Sequence, residues 1–281
     1  MNLQPLLVVG PLYTGSERGL AADILAARAE GLAPFPICTQ LVVASGGTVT
    51  DVNDVPVDTV IAQLEHTLSM GDLAAIKIGG LASASTVHAV MERLPTTVHP
   101  VVLDLVASGP SGETLLNGGG VDAIAIHLGK ADLVMASRAD AELVTGGSIE
   151  SLDDAQVAAQ RLHHRGAARV LIRCGHLPYR FYDAAEDPGG DGAGGAALSF
   201  DLYYDGEDFA LFEAPQLDAQ NVDGLSSVFA IAVIRALMDG LDMVEALQQA
   251  KRAATDSARH QLDVESFHNR IAVSIAYDSD R

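Results

Sequence analysis

Residues 75–94 read AIKIGGLASASTVHAVMERL, and the fold is predicted from the unit they contain. A short and almost continuously apolar run, Ala75–Ile78, is followed by a glycine turn. Ser85–Leu94 comes next, with apolar residues at helical spacing. An apolar run without alternation is typical of a strand that is covered on both faces. The stretch therefore indicates a buried strand, a tight turn and a helix.

The same unit recurs along the chain. Other short apolar runs that we interpret as strands are Leu6–Val9, Ile37–Val43, Val101–Leu103, Leu133–Met135 and Val170–Ile172. Other stretches with helical spacing are Gly19–Glu30, Val57–Met70, Asp153–Arg165, Ser227–Met238 and Met243–His260. Strands and helices that alternate in this way predict an α/β fold with a central, mostly parallel sheet and helices on both faces. Ligands of such sheets bind beyond the carboxyl ends of the strands.

The composition excludes several classes of function. The 281 residues are 48% hydrophobic and 19% charged, which suits a folded chain with a sizeable core. The formal net charge is -20, from 37 acidic and 17 basic residues. Such a negative field argues against nucleic acid or an anionic membrane as a partner, because phosphates require clustered cations. The many aspartates and few lysines also suggest adaptation to a salty cytoplasm, so we expect the unfolding midpoint to rise steeply with KCl.

The cysteines, histidines and N-terminus give no sign of export or of a metal centre. Cys38 and Cys174 form neither a CxxC motif nor a disulfide framework. The histidines show no metal-ligand spacing with carboxylates along the sequence, and His176, which follows a strand, is more readily a structural residue than a site residue. No signal peptide and no apolar run of about 18 residues is found, so we expect a soluble, cytoplasmic protein.

One segment departs from the pattern. Residues 184–197 read AAEDPGGDGAGGAA, an acidic, glycine-rich sequence that we interpret as a flexible insertion between two strands. It satisfies GxGxxG by letter, but a strand follows it instead of a helix, so a dinucleotide site is disfavoured. A P-loop motif does not occur. We expect one domain over residues 1–281, with 261–281 as a C-terminal tail.

The sequence DGLSS at residues 223–227 precedes a strongly apolar helix. The free backbone N–H groups of a helix N-terminus bind anions, which predicts a phosphate site at this point. The alternative is an ordinary serine N-cap on a buried helix. The local sequence favours this second interpretation.

The order of these segments resembles the hydroxymethylpyrimidine/phosphomethylpyrimidine kinases of thiamine biosynthesis, in the ribokinase-like superfamily, over roughly residues 5–260. The stretches that carry the resemblance are IKIGGL at 76–81, VVLDLV at 101–106, Ser111-Gly112, VLIRCGHL at 170–177 and the strand pair from Asp205 to Pro215. The family has TKIGML, VVLDPV, AKSG and VLIKGGHL at these places. The resemblance implies a ribokinase-like three-layer sandwich, ATP and Mg²⁺, a small heterocyclic substrate and a homodimer.

The resemblance also implies a catalytic centre. The family's HGTGC corresponds to Asp223–Ser227, so Gly224, Ser226 and Ser227 would form the anion site, and Ser227 stands where the family has the base. A serine hydroxyl is not an effective base near neutral pH, and losing a base typically lowers the rate by ~10²–10⁴. Asp223, four residues earlier, is an alternative base.

The nucleotide and metal positions differ from the family as well. The family's Asn-x-x-Glu corresponds to Ser137–Asp140, which implies nucleotide contacts by Ser137 and Asp140 and metal ligation by Asp104 and Asp140. Arg173, the third nucleotide-binding residue that the resemblance implies, replaces the lysine of KGGH, and Pro110 replaces the lysine of AKSG.

The substrate pocket has changed too. The substrate residues implied by the resemblance are Gly10, Asp23, Ala44 and Gly80. Ala44 replaces a glutamine that contacts the pyrimidine, and Gly80 replaces a methionine.

Two hypotheses follow from a preserved framework with altered site residues. The first is a kinase that transfers phosphoryl from ATP to a hydroxymethylpyrimidine, its phosphate or a similar heterocycle. The second is a catalytically impaired homologue that binds ligands or regulates.

Overall fold

A computed structural model describes residues 3–45, 48–109, 112–175, 177, 198–215, 217, 222–260, 262–264 and 269–271. The strands of the main sheet are β1 (Gln4–Thr14), β2 (Leu32–Ser45), β3 (Thr48–Asp54), β4 (Ala75–Ile78), β5 (Val101–Leu105), β6 (Leu133–Ser137), β7 (Val170–Gly175), β8 (Leu198–Tyr204) and β9 (Phe209–Pro215). The helices are α1 (Leu20–Ala29), α2 (Val57–Ser69), α3 (Ala84–Met91), α4 (Gly118–His127), α5 (Arg138–Thr145), α6 (Leu152–His164), α7 (Leu225–Met238) and α8 (Met243–Arg259).

The main sheet has the strand order β3-β2-β1-β4-β5-β6-β7-β8-β9. Six strands in the middle of this order, β2, β1, β4, β5, β6 and β7, pair in parallel. The strand at one edge, β3, and the two at the other, β8 and β9, pair antiparallel. The prediction of a mostly parallel sheet is confirmed.

The sheet is covered on both faces, which gives the predicted three layers. Alternate residues of β1 enter different cores: Leu7 and Val9 join one cluster, and Leu6 and Val8 join the other. Helices α2 to α6 pack on the first face, and α1, α7 and α8 pack on the second. Continuous apolar strands are the expected signature of such two-sided burial.

The sequence did not predict β3, α4 or α5. β3 lies at an edge with mostly exposed side chains, so it has no buried face to produce a pattern. α4 begins with three glycines, which are poor helix formers, and is started by the Asn117 side chain, which accepts a hydrogen bond from Gly120 N at 2.9 Å.

A second, small sheet connects the segment before α7 with the segment after α8. Its strands are β10 (Val222–Asp223), β11 (Leu262–Val264) and β12 (Asn269–Ile271), in the order β10-β12-β11. Asp223 pairs with Ile271 in parallel register. The predicted tail therefore contains two strands, and one of them is attached directly to the start of α7.

The strand order reverses beside β1, because the chain passes from β1 to β2 on one side and later to β4 on the other. A crevice at the carboxyl ends of the strands is expected at such a switch point. The strands approach closely there: a Cβ on Gly10 would lie 3.9 Å from Gly79 Cα. No helix in the described residues is both long and apolar enough to cross a bilayer.

Candidate active site

A cavity of about 390 Å³ opens at this switch point. The residues predicted from the sequence that line it are Gly80, Asp104, Ser137, Asp140, Arg173, Gly224, Ser226 and Ser227. The ends of four parallel strands, β4 to β7, and the start of α7 thus bring together predicted residues that are up to 147 positions apart in the sequence. Gly10, Asp23, Ala44 and Asp223, also predicted, are not among the described residues that line the cavity.

The start of α7 forms the anion-binding part of the cavity. Gly224 is the N-cap and has left-handed backbone angles of φ 84° and ψ -5°, which glycine adopts without strain. No side chain caps the helix, so the serine N-cap interpretation is wrong. The first N–H groups of a helix have no intrahelical partner, and here Leu225, Ser226 and Ser227 all line the cavity. The positive end of the helix dipole adds to this preference for an anion.

Asp104 lies between Arg173 and this helix. Ser226 Oγ donates a short hydrogen bond to Asp104 Oδ2, and Arg173 Nη2 lies 3.4 Å from Asp104 Oδ1. The Nε atom of Arg173 is buried and has no hydrogen-bond partner among the residues that the structure describes. A guanidinium with an unused buried donor is suited to bind a phosphate, which accepts several such bonds.

A buried ion pair lies beneath the cavity. Lys77 Nζ is 2.9 Å from Asp23 Oδ1 and donates a hydrogen bond to Asp23 Oδ2 at 3.0 Å. The two side chains are 3% and 0% exposed, and Asp104 Oδ2 is a more distant partner of Lys77 at 3.9 Å. Burial raises the pKa of the Asp23 carboxyl, and the Lys77 ammonium opposes that shift.

Ser227 joins this pair to the cavity. Its side chain is buried and lines the cavity, and its hydroxyl lies near enough to the Asp23 carboxylate to lower the pKa of that group. The residue at the family's base position is therefore connected to a buried carboxylate.

Asp140 is held by many hydrogen bonds. Its Oδ1 accepts from Ala107 N at 3.0 Å, from Ser108 N at 3.0 Å and from Ser108 Oγ at 2.9 Å. Its Oδ2 accepts from Ser137 Oγ at 2.5 Å, and Ser137 caps α5. Asp140 thus fixes the loop after β5, and fewer of its lone pairs are free for a metal than the resemblance implies.

Asp223 is buried and holds a neighbouring loop. Arg18 Nε donates to Asp223 Oδ1 at 2.5 Å, and Ser16 Oγ donates to Oδ2 at 2.6 Å. Both oxygens are occupied and the residue does not reach the described lining. This arrangement supports a role in positioning the Gly224 turn.

One part of the cavity lining is more apolar. This part consists of Pro11, Tyr13, Gly80 and Val106, and a Cβ on Gly80 would be 3.3 Å from Pro11 Cδ. The proline therefore lies against the place where the family has a methionine side chain. Ala44 packs behind Tyr13 in a small apolar cluster, away from the described lining.

The Tyr13 hydroxyl has no hydrogen-bond partner among the described residues. Burial raises the pKa of Tyr13 to about 12, so it stays a neutral donor at ordinary pH.

A second cavity of about 210 Å³ shares Arg173 and Leu225 with the first. Its lining is apolar apart from a few groups, chiefly the ion pair of Lys251 and Asp201, with 2.9 Å between Nζ and Oδ2. Burial raises the pKa of Asp201, and Lys251 opposes that shift. The two cavities therefore meet at Arg173 and Leu225.

Sequence reasoning missed several of these residues. Lys77 stands alone as a charge within a buried apolar strand, and that signal could have identified it. Tyr13, Arg18 and the pair of Asp201 with Lys251 had no such signal, because their partners come from distant segments. His176, Pro110, Ser111 and the insertion at 184–197 lie outside the described residues.

The fold and these two cavities define the class of protein: a ribokinase-like kinase. The pyridoxal kinase from Staphylococcus aureus in complex with AMP-PCP superposes with a TM-score of 0.82 and 25% identity, covering 100% of this chain and 97% of that one. A phosphomethylpyrimidine kinase from Clostridium difficile superposes with a TM-score of 0.70 and 21% identity, covering 90% and 98%.

The family follows from the sequence comparison. The model of the phosphomethylpyrimidine kinase family matches residues 14–272, so the chain belongs to that family. A hydroxymethylpyrimidine/phosphomethylpyrimidine kinase from Aquifex aeolicus is 28% identical over 244 residues, covering 86% of this chain and 89% of the relative. The corresponding kinase from Haemophilus influenzae is 26% identical and covers 95% of both. The resemblance predicted from the sequence is confirmed.

Proposed function

We propose that this protein transfers the γ-phosphoryl group of ATP to the hydroxymethyl group of a small aromatic nitrogen heterocycle, with hydroxymethylpyrimidine and its monophosphate as the first candidates. One observation carries the proposal: a single cavity is lined both by an anion-binding group, at Gly224 and Arg173, and by an apolar group, at Pro11, Gly80 and Val106. A phosphate donor and a flat, weakly polar acceptor fit these two parts of the lining. The named kinase relatives support the same assignment.

The residues present suit a bound nucleotide. The unpartnered Nε of Arg173 and the free N–H groups at the start of α7 would hold phosphate oxygens. The second cavity continues from Arg173 and Leu225 and offers a largely apolar place for the nucleoside. Positioning and charge stabilisation of this kind supply most of the catalysis in phosphoryl transfer.

A divalent ion such as Mg²⁺ would neutralise charge on the phosphates when bound. Asp104 is the best placed protein ligand, since it is buried at the cavity between Arg173 and Ser226. Asp140 is our second candidate, although its oxygens already serve Ser137, Ala107 and Ser108.

Ser227 and Asp23 together would replace the base of the family. As the acceptor oxygen attacks the γ-phosphorus and the bond to the leaving ADP oxygen breaks, the acceptor's proton passes to Ser227 Oγ. The proton of Ser227 then passes to Asp23, whose pKa burial raises. Product release leaves that proton to return to solvent.

The acceptor pocket is changed, so the identity of the heterocycle is open to test. Ala44 stands where the family has the glutamine for the pyrimidine, and Tyr13, which packs against Ala44, brings a neutral phenol to the cavity lining. A phenol donor favours a ring nitrogen or hydroxyl acceptor. Pyridoxal is therefore the second acceptor to compare.

The experiment is a coupled assay of ADP release and product formation with hydroxymethylpyrimidine, its monophosphate and pyridoxal, in high KCl with Mg²⁺. We expect turnover with one of the three and a fall of ~10²-fold or more in kcat for Ser227→Ala. Ser257→Ala is the matched control, because Ser257 is also buried and its hydroxyl has no partner in the described structure.

Other outcomes separate the alternatives. Turnover that survives Ser227→Ala but is lost in Asp223→Asn assigns the base to Asp223. Absence of turnover, together with thermal stabilisation by an ATP analogue or a heterocycle, indicates the impaired homologue that binds ligands.

A further inference from the structure

A cluster of metal-ligating side chains lies outside the cavity, on α3 and α4. His88 Nδ1 is 3.0 Å from His127 Nε2 and 3.7 Å from Glu92 Oε1. One ligand atom from each of the three residues lies within 4.8 Å of the others. The histidines are partly buried and Glu92 is exposed, so the cluster is open to solvent on one side.

The cluster corrects the sequence expectation that no histidines would meet a carboxylate at metal spacing. His88 and Glu92 are four residues apart and so share one face of a helix. His127 ends α4, 39 residues further on, and reaches the pair because α3 and α4 pack together. Spacing along the chain could have indicated His88 and Glu92, but not His127, which comes from another helix.

The geometry is close to that of a chelate. In a tetrahedral zinc site with Zn–N bonds of about 2.0–2.1 Å, two ligand nitrogens lie about 3.3 Å apart. The observed 3.0 Å between the two imidazole nitrogens needs a shift of only a few tenths of an ångström. Two imidazoles and a carboxylate are the ligand set that late first-row divalent ions prefer, with water completing the coordination.

We propose that His88, Glu92 and His127 form a binding site for a divalent transition-metal ion, with Zn²⁺ as the principal candidate. The ion would replace the imidazole hydrogen bond and join the carboxyl ends of α3 and α4. Lys130 lies near enough for its charge to act on His127, so it weakens the binding of a cation. The proposal is independent of the kinase assignment, because these residues do not line either cavity.

The test is titration of the whole protein with Zn²⁺ by calorimetry, with excess Mg²⁺ present to occupy sites formed by oxygen ligands. Binding of Co²⁺, followed by its visible absorption bands, reports the ligand geometry. We expect one Zn²⁺ per chain and an affinity lowered at least about tenfold in His127→Gln, since losing even a supporting residue of a metal site typically costs that much. The glutamine can keep a hydrogen bond to His88, which protects the fold.

Two further variants make the result decisive. His164→Ala is the matched control, because His164 is an exposed histidine on α6 and should bind Zn²⁺ like the wild type. Lys130→Gln should tighten binding about two- to fivefold by removing a repulsive charge. Equal Zn²⁺ affinity in the wild type and in His127→Gln, or no binding of either ion by the wild type, would overturn the proposal.

Discussion

Replacement of Lys77 by methionine should be one of the most destabilising single changes at the site. Methionine keeps the length of the side chain but removes its charge. Asp23 is fully buried, and Lys77 is its only cationic contact among the described residues. Removing one partner of a buried ion pair typically costs ~3–5 kcal/mol, because the remaining charge is left unpaired. The Ser227 hydroxyl still favours the charged form of Asp23, so we expect the lower end, about 3 kcal/mol.

Substitution of the other residue of the ion pair, Asp23→Asn, should lower the free energy of unfolding by less than Lys77→Met does. Lys77 would then retain Asp104, whose Oδ2 lies 3.9 Å from its ammonium, and the new amide can still accept a hydrogen bond. A lost charge-assisted hydrogen bond typically costs about 1.5–3 kcal/mol. The double variant Lys77→Met with Asp23→Asn should recover part of the loss of the first change, because no unpaired carboxylate remains.

The decrease in the free energy of unfolding caused by Lys77→Met should also depend on pH. Burial already raises the folded-state pKa of Asp23, and removal of the ammonium that opposes this shift raises it further. A carboxyl with a raised folded-state pKa is most favourable below its unfolded pKa, and its contribution is lost as the pH rises through the folded-state value. The variant should therefore be closer to wild type at pH 5 than at pH 8.

Equilibrium urea unfolding of the three variants and the wild type, at both pH values, measures these differences. The reasoning is refuted if Asp23→Asn is as destabilising as Lys77→Met, or if the double variant is worse than Lys77→Met alone. If Lys77→Met lowers the free energy of unfolding equally at pH 5 and pH 8, the Asp23 carboxylate is not the charge that the substitution leaves unpaired.

Three other predictions address the caps, the turn and the surface. Ser137→Ala removes the cap of α5 and a donor to Asp140, and should lower the free energy of unfolding by ~1 kcal/mol, measured by urea unfolding. Gly224→Ala places a Cβ at φ 84°; we expect a cost of about 1–2 kcal/mol and a weaker affinity for an ATP analogue, measured by calorimetry. The midpoint of thermal unfolding should rise steeply from low to high KCl because of the net charge of -20, and a flat response would contradict adaptation to salt.

The parallel core was predictable because burial on both faces leaves a continuous apolar run, as in Leu133–Met135. The edge strand β3 lies mostly exposed, and α4 begins with glycines, so neither produced a signal. The assignment of Asp104 and Arg173 to the site followed from the resemblance, and both residues lie in parallel strands, β5 and β7, with β6 between them.

Contacts between distant segments were not predictable. The pairing of Lys77 with Asp23, and of Arg18 with Asp223, depends on the docking of a helix or loop against the sheet. Periodicity contains no information about such docking. The same limit explains why the resemblance named Gly10 and Ala44 as substrate residues, whereas the structure puts them behind the described lining.

The pairing of β12 with β10 has a practical consequence. Ile271 pairs with Asp223, the residue directly before the Gly224 turn. A substitution that breaks this pairing would act on the Gly224 turn without touching the nine-stranded sheet, because β12 belongs to the small sheet. Loss of activity in such a variant would then report a displaced turn.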